Sequence, residues 1–336
     1  MVAKDAIAQG RIQHSQLKLT QLRKELGRLS VLERFPTLGI FAAGSYGRLE
    51  ACDYSDIDLF FIDAADRGDI AELHTNELRL FAKVIDIADD MGFPKFSNDC
   101  QYLTVLHKND ILRNLGSPTD DHQNYFTARM LLLLESQCLY GDANYDSTTA
   151  DIVGSYFKDF PHHRQTFQPV FLLNDICRFW KTMLLNYENK RQMRPGTEES
   201  EEQKTKRRVR NFKLKYSRMT TCFASVAALG SYRVPVTEKN VLELTKLTPR
   251  QRLESVPERL GETAPAVKAV LGEYSRFLEM TGLPTEGLED HFSDTQKRSE
   301  MFARANKYGD AMFALLRKID ATATDEKYRL LRYLVI

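Results

Sequence analysis

Gly44-Ser45-Tyr46-Gly47-Arg48-Leu49-Glu50-Ala51-Cys52-Asp53-Tyr54-Ser55-Asp56-Ile57-Asp58-Leu59 sets a turn of small residues a short distance ahead of an Asp-x-Asp pair. Before it, the apolar run Leu38-Gly39-Ile40-Phe41-Ala42-Ala43 ends at glycine, as a buried strand does when it turns sharply into a loop. After it, residues 55–62 alternate acid and apolar and then become wholly apolar, which fits a strand with one end at a site. On such a strand Asp56 and Asp58 leave the same face. Two carboxylates held side by side repel unless something positive lies between them. A hard divalent cation is the natural neutraliser, and aspartate oxygens suit Mg²⁺, with Mn²⁺ as the alternative. Gly44 and Ser45 let backbone amides approach a phosphate, and the serine hydroxyl adds a donor. An acid pair beside a phosphate cradle provides the parts for phosphoryl or nucleotidyl transfer. An isolated Asp-x-Asp carries little weight; its combination with Gly-Ser at this spacing is specific. The competing reading is a solvated strand edge whose aspartates cap a turn.

On either side of this stretch, the pattern predicts an amphipathic helix over 12–32, a helix over 70–91 and a third strand over 98–106. These make a small α/β unit. From Tyr125 the chain turns helical, with periodic segments at 125–139, 170–187, 206–229, 265–280 and 294–320. Residues 188–207 are charged and read as a loop. The expected fold is therefore α+β: a mixed-sheet domain over 1–150, then an all-helical domain over 151–336 that completes a cleft with it.

Forty-seven basic residues against forty-six acidic ones leave no bulk field for a polyanion, so DNA is not expected as a partner. The five cysteines are scattered, with no Cys-x-x-Cys pair, which argues against a zinc ribbon or a disulfide framework. No run approaches the roughly 18 apolar residues of a membrane span, and residues 1–15 lack the apolar core of a signal peptide. A cytoplasmic protein without a membrane partner is expected.

Gly-Ser followed by Asp-x-Asp at this spacing resembles the polymerase-beta-type nucleotidyltransferase superfamily. Within it, Gly44-Ser-Tyr-Gly-Arg48 and Tyr54-Ser-Asp-Ile-Asp-Leu59 look like DUF294-type nucleotidyltransferases and the catalytic domain of bacterial protein-PII uridylyltransferases. Residues 126–142, ending in Leu139-Tyr-Gly-Asp142, extend the likeness over about the first 145 residues; 174–181 and 211–218 look like the helical half of the DUF294-type proteins. No regulatory phosphohydrolase or ACT-like module is evident, which argues against protein PII as acceptor. The resemblance implies transfer of a nucleoside monophosphate from an NTP to an acceptor, with pyrophosphate released. Asp56 and Asp58 would bind the metal, and Gly44 and Ser45 the β- and γ-phosphates. It also implies a third carboxylate on a neighbouring strand, for which Asp99 is the candidate as metal ligand and base, unless it only turns the chain into the strand; Asp110 is the fallback, though Asn109-Asp110 reads better as a helix N-cap.

Arg48 would face the triphosphate from the same loop. In the helical half, Asn174, Arg178 and Lys181 fall on one helix face, and Asn211, Lys215 and Arg218 repeat that spacing, each set beside an apolar stripe. Bordering the cleft, these cations would bind nucleotide phosphates or an acidic acceptor; otherwise they are ordinary solvated faces. The acceptor stays open between a protein, an RNA and a small molecule, because these share the metal site and differ in the pocket. The rival from another class is a catalytically silent nucleotide sensor or partner-binding protein, such as a toxin–antitoxin or defence component.

Overall fold

In the computed structural model, residues 5–65, 70–96, 100, 103–192, 199–323 and 329–335 are described. The chain divides into two compact units, Ala8–Lys158 and Asp159–Ile336, the second also taking in the residues before Ala8 at the start of the first helix. The division comes later than residue 150 because the helix Asp142–Ser155 runs through that point.

The first unit contains α1 (Ala6–Leu26), β1 (Leu38–Ala43), the single turn α2 (Gly44–Gly47), β2 (Asp58–Asp63) and α3 (Ile70–Asp90). It continues with β3 (Val105–His107), α4 (Lys108–Arg113), α5 (Pro118–His122), α6 (Tyr125–Leu134), β4 (Gln137–Tyr140) and α7 (Asp142–Ser155). The four strands form one mixed sheet in the order β3-β2-β1-β4. β1 runs antiparallel to β2 and β4, and β2 runs parallel to β3. One sheet face carries Leu38, Ile40, Ala42, Leu59, Phe61 and Val105, packed with Leu19, Leu22 and Leu26 of α1 and Leu80, Val84 and Ala88 of α3. The other carries Phe41, stacked on Phe60 at 5.4 Å and meeting Tyr145 of α7 at 6.1 Å. Inward residues of α1 (Ala8, Arg11, Ser15, Leu19, Leu22, Leu26) keep the three-and-four spacing of one helical stripe, and Leu17 is left exposed.

Two expectations differ here. The helix expected over 125–139 stops at Leu134, where Glu135 adopts φ −158, and residues 137–140 become the edge strand β4. The Leu139-Tyr-Gly-Asp142 turn thus follows a strand. The third strand is also short, Val105–His107.

The second unit is helical: α8 (Val170–Gln192), α9 (Glu201–Lys213), a π-helical turn at Leu214–Arg218, α10 (Met219–Gly230), α11 (Glu238–Thr245), α12 (Pro249–Arg259), α13 (Ala264–Met280), α14 (Thr285–Ser293), α15 (Thr295–Asp320) and α16 (Leu330–Val335). Side chains cap several helices: Ser200, Thr237 and Thr248 form capping boxes with Gln203, Asn240 and Gln251. The charged segment expected to be a loop thus holds the last turns of α8 and the start of α9. On α9, Lys204, Lys206, Arg207 and Arg208 pair with Glu199, Glu201 and Glu202. The core is aromatic, with Tyr216 stacked between Phe277 and Tyr308, each at 4.7 Å. Among the described residues, no helix is long and apolar enough to cross a membrane.

Candidate functional site

β1 delivers the chain to Gly44, which takes φ +65, a left-handed conformation that glycine adopts without strain. Its bare α-carbon faces β2: a Cβ there would collide with the Asp58 carboxylate. The antiparallel register explains the approach, since Ala43 stands opposite Asp58. Glycine is thus required twice over, for its dihedral and for the space. The turn closes through Arg48 N–H to the Gly44 carbonyl at 3.0 Å and Glu50 N–H to the Ser45 carbonyl at 2.8 Å. Ser45 is half-buried, and its hydroxyl makes no hydrogen bond among the described residues.

Asp58 opens β2, and Asp56 lies two residues before the strand starts. Burial still alternates as the sequence suggests: Asp56 is exposed, Ile57 is 2% exposed, Asp58 is half-buried and Leu59 is 6% exposed. Tyr46, two residues past Gly44, is buried and packs edge-on against Phe93 at 5.4 Å. Its phenol is pushed well above the ordinary tyrosine value, first by burial and then by the negative charges of Cys52, Asp53 and Asp56. Gly44 thus sits against one aspartate of the pair, and Tyr46 lies within the field of the other.

The metal expectation can be set against these donors. No group of three or more His, Cys, Asp or Glu side chains able to hold a metal occurs among the described residues. Mg²⁺ does not demand such a cage: it keeps several waters and takes one or two carboxylates plus substrate phosphates. Asp56 and Asp58 beside a small-residue turn fit that coordination. Asp99 lies outside the described residues, and the described residues of β3 (Val105, Leu106, His107) include no carboxylate.

Arg48 differs from the expected phosphate-facing cation. It is 7% exposed, with Nε 2.8 Å from Glu50 Oε2 and Nη1 2.7 Å from Glu135 Oε2. The two buried carboxylates draw the guanidinium inward. Glu135 stands 87 residues away in sequence, so spacing alone does not find it. Spacing does not single out Gly47 either: a Cβ on it would overlap the Glu135 carbonyl oxygen.

In the helical unit, Arg178 is half-buried and reaches Asp175 on its own helix at 3.5 Å, while Lys181 is exposed. Buried positions among the described residues of α8 are Leu172, Leu173, Asp175, Ile176 and Phe179; Trp180 is half-buried, edge-on to Phe223 at 5.9 Å. Lys215 donates to Asn306 Oδ1 of α15 at 3.0 Å, and Arg218 is half-buried at the end of the π turn. A π turn carries one residue more than an α turn, so the even face expected from Asn211 through Lys215 to Arg218 is rotated between its first and last members. The structure therefore does not bring these three onto one regular stripe. Compared with known proteins, the chain matches no family model, no curated protein and no solved structure.

Proposed function

We propose that the chain is a magnesium-dependent nucleotidyltransferase that moves a nucleoside monophosphate from an NTP to an acceptor hydroxyl. The observation that carries the reading is the meeting of Gly44 and Asp58: a left-handed glycine at the end of a strand, its α-carbon held against the carboxylate that opens the neighbouring strand. That contact brings the small-residue turn and Asp58 together at one end of the sheet, with Asp56 two residues ahead of the strand.

In this reading the Gly44-Ser45 turn and the Ser45 hydroxyl hold the triphosphate tail, and Asp56 and Asp58 hold Mg²⁺ or Mn²⁺. The bound ion would supply positive charge to the phosphates and the leaving pyrophosphate. The acceptor oxygen bonds to the α-phosphorus as the bond from that phosphorus to the bridging oxygen breaks. The acceptor's proton passes to a carboxylate, a role proposed for Asp99. Orientation of the triphosphate against the acceptor supplies much of the rate in such transfers.

The alternative is a catalytically silent nucleotide-sensing protein on the same fold. The readings separate on paired measurements with the full chain: equilibrium binding of each of the four NTPs with Mg²⁺, and pyrophosphate release. A transferase binds an NTP, releases pyrophosphate in the presence of acceptor, and loses release in Asp56→Asn and Asp58→Asn. Binding without release under any acceptor mixture favours the sensor; absence of binding rejects both.

A further inference from the structure

We infer that Arg48, Glu50 and Glu135 form a buried strut that sets the shape of the Gly44–Gly47 turn, making Arg48 a positioning residue that acts through the turn and not a ligand of phosphate. The functional consequence rests on the nucleotide-binding reading of that turn.

Two observations and the geometry of the guanidinium converge. All three side chains are nearly sealed from solvent, at 8%, 7% and 0% exposure for Arg48, Glu50 and Glu135. Their bonds are short and charge-assisted, 2.8 Å to Glu50 and 2.7 Å to Glu135. A planar guanidinium that engages two carboxylates through different nitrogens has its plane and position fixed, which a lysine ammonium on a flexible stem does not reproduce.

The strut is also anchored at both ends. On the α6–β4 side, Glu135 offers its carboxylate to Arg48 and its main-chain carbonyl to the space left by Gly47, while Gln137 Nε2 donates to the Gly47 carbonyl at 3.3 Å. On the α1 side, Arg11 Nη1 donates to the Glu50 carbonyl at 3.3 Å. Ser15 Oγ accepts from Ala51 N–H at 3.0 Å and donates to the Arg11 carbonyl at 2.8 Å. Between these grips Leu49 is held at φ +58, a conformation that non-glycine residues adopt only when their surroundings enforce it. The path to the turn is one bond long: Glu50 N–H donates to the Ser45 carbonyl at 2.8 Å. Moving Glu50 therefore moves the residue proposed to touch phosphate.

The two roles open to Arg48 give opposite signs for a substitution at Glu135. If Arg48 were a phosphate ligand, Glu135→Gln would release it from a competing carboxylate and tighten NTP binding. If it is a strut, the same substitution loosens the turn and weakens binding. The experiment uses the full chain in wild-type, Glu135→Gln, Arg48→Lys and Glu50→Gln forms. Three readouts are taken: affinity for whichever of ATP, GTP, CTP and UTP binds wild type with Mg²⁺, hydrogen exchange of amides in 44–51, and the thermal unfolding midpoint. The expected result is affinity lower by on the order of tenfold in Glu135→Gln and Arg48→Lys. Exchange in 44–51 rises in both while unfolding stays cooperative. Unchanged or tighter binding in Glu135→Gln overturns the strut. Should Glu135→Gln or Arg48→Lys not fold, Glu50→Gln, which keeps the Arg48–Glu135 bond, gives the same decision. A wild-type chain that binds no NTP rejects the nucleotide reading; the exchange readout then decides the strut by itself, and unchanged exchange overturns it.

Discussion

At Gly44 the backbone and the site make the same demand. A methyl group there would have to occupy a left-handed conformation, costing about 1–2 kcal/mol, and would also strike the Asp58 carboxylate. Gly44→Ala is therefore expected to cost more in function than in stability. NTP turnover should fall on the order of a hundredfold while the unfolding midpoint in urea drops only modestly. Parallel kinetics and urea titration check this, and turnover equal to wild type would remove Gly44 from the site. What the sequence makes legible at this scale is local. Gly-Ser and Asp-x-Asp lie within fifteen residues of one another, and alternation about Ile57 leaves Asp56 exposed and Asp58 half-buried while Ile57 and Leu59 enter the core. The pairing of Arg48 with Glu135 is not legible there, because Glu135 is a partner far along the chain that no short-range pattern names.

Elements divide in the same way. Helices with long apolar stripes and side-chain caps follow from periodicity, and α3, α8, α13 and α15 begin within a residue of where the pattern puts them. β4 does not, because four residues gain their strand identity from pairing with β1, and the preceding run of leucines favours helix on local grounds. The π turn at Leu214–Arg218 is likewise a tertiary product. It coincides with Tyr216, whose ring is 2% exposed and sandwiched by Phe277 and Tyr308, so that packing fixes the ring where a regular α-helix would shift it. Tyr216→Ala is expected to destabilise the chain by about 3–5 kcal/mol, the range for emptying a buried aromatic site. Tyr216→Phe keeps the stack and should stay close to wild type. Urea unfolding of both variants decides; equal losses would mean that the hydroxyl, not the stack, holds the turn.

Over the whole molecule, wholly or partly buried groups that ionise only at high pH make alkaline conditions the weak flank. Burial and the neighbouring Asp142 push the Cys138 thiol up to about 12, and burial and Glu273 push the Tyr216 phenol up to about 12. The Tyr46 phenol is raised by the same kind of environment. Each keeps its proton in the folded chain at a pH where the unfolded chain has lost it. Their contribution is therefore whole below the ordinary thiol value of 9.0 and declines as pH rises toward 12. The urea midpoint should hold between pH 7 and 8.5 and fall steadily above pH 9. A midpoint that rises or stays flat from pH 9 to 11 would contradict this assignment of buried, protonated groups.

The claim on which the rest depends is that Asp56 and Asp58 support transfer of a nucleotide. Its most direct test is incubation of the full chain with each α-³²P-labelled NTP, Mg²⁺ and cell extract as the source of acceptor, beside the Asp56→Ala/Asp58→Ala double variant. Label from one NTP should enter one class of acceptor, protein, RNA or small molecule, and be absent with the double variant. Label that enters equally with both chains, or with neither while NTP binding is intact, would contradict the transferase and leave a nucleotide-binding protein built on this site.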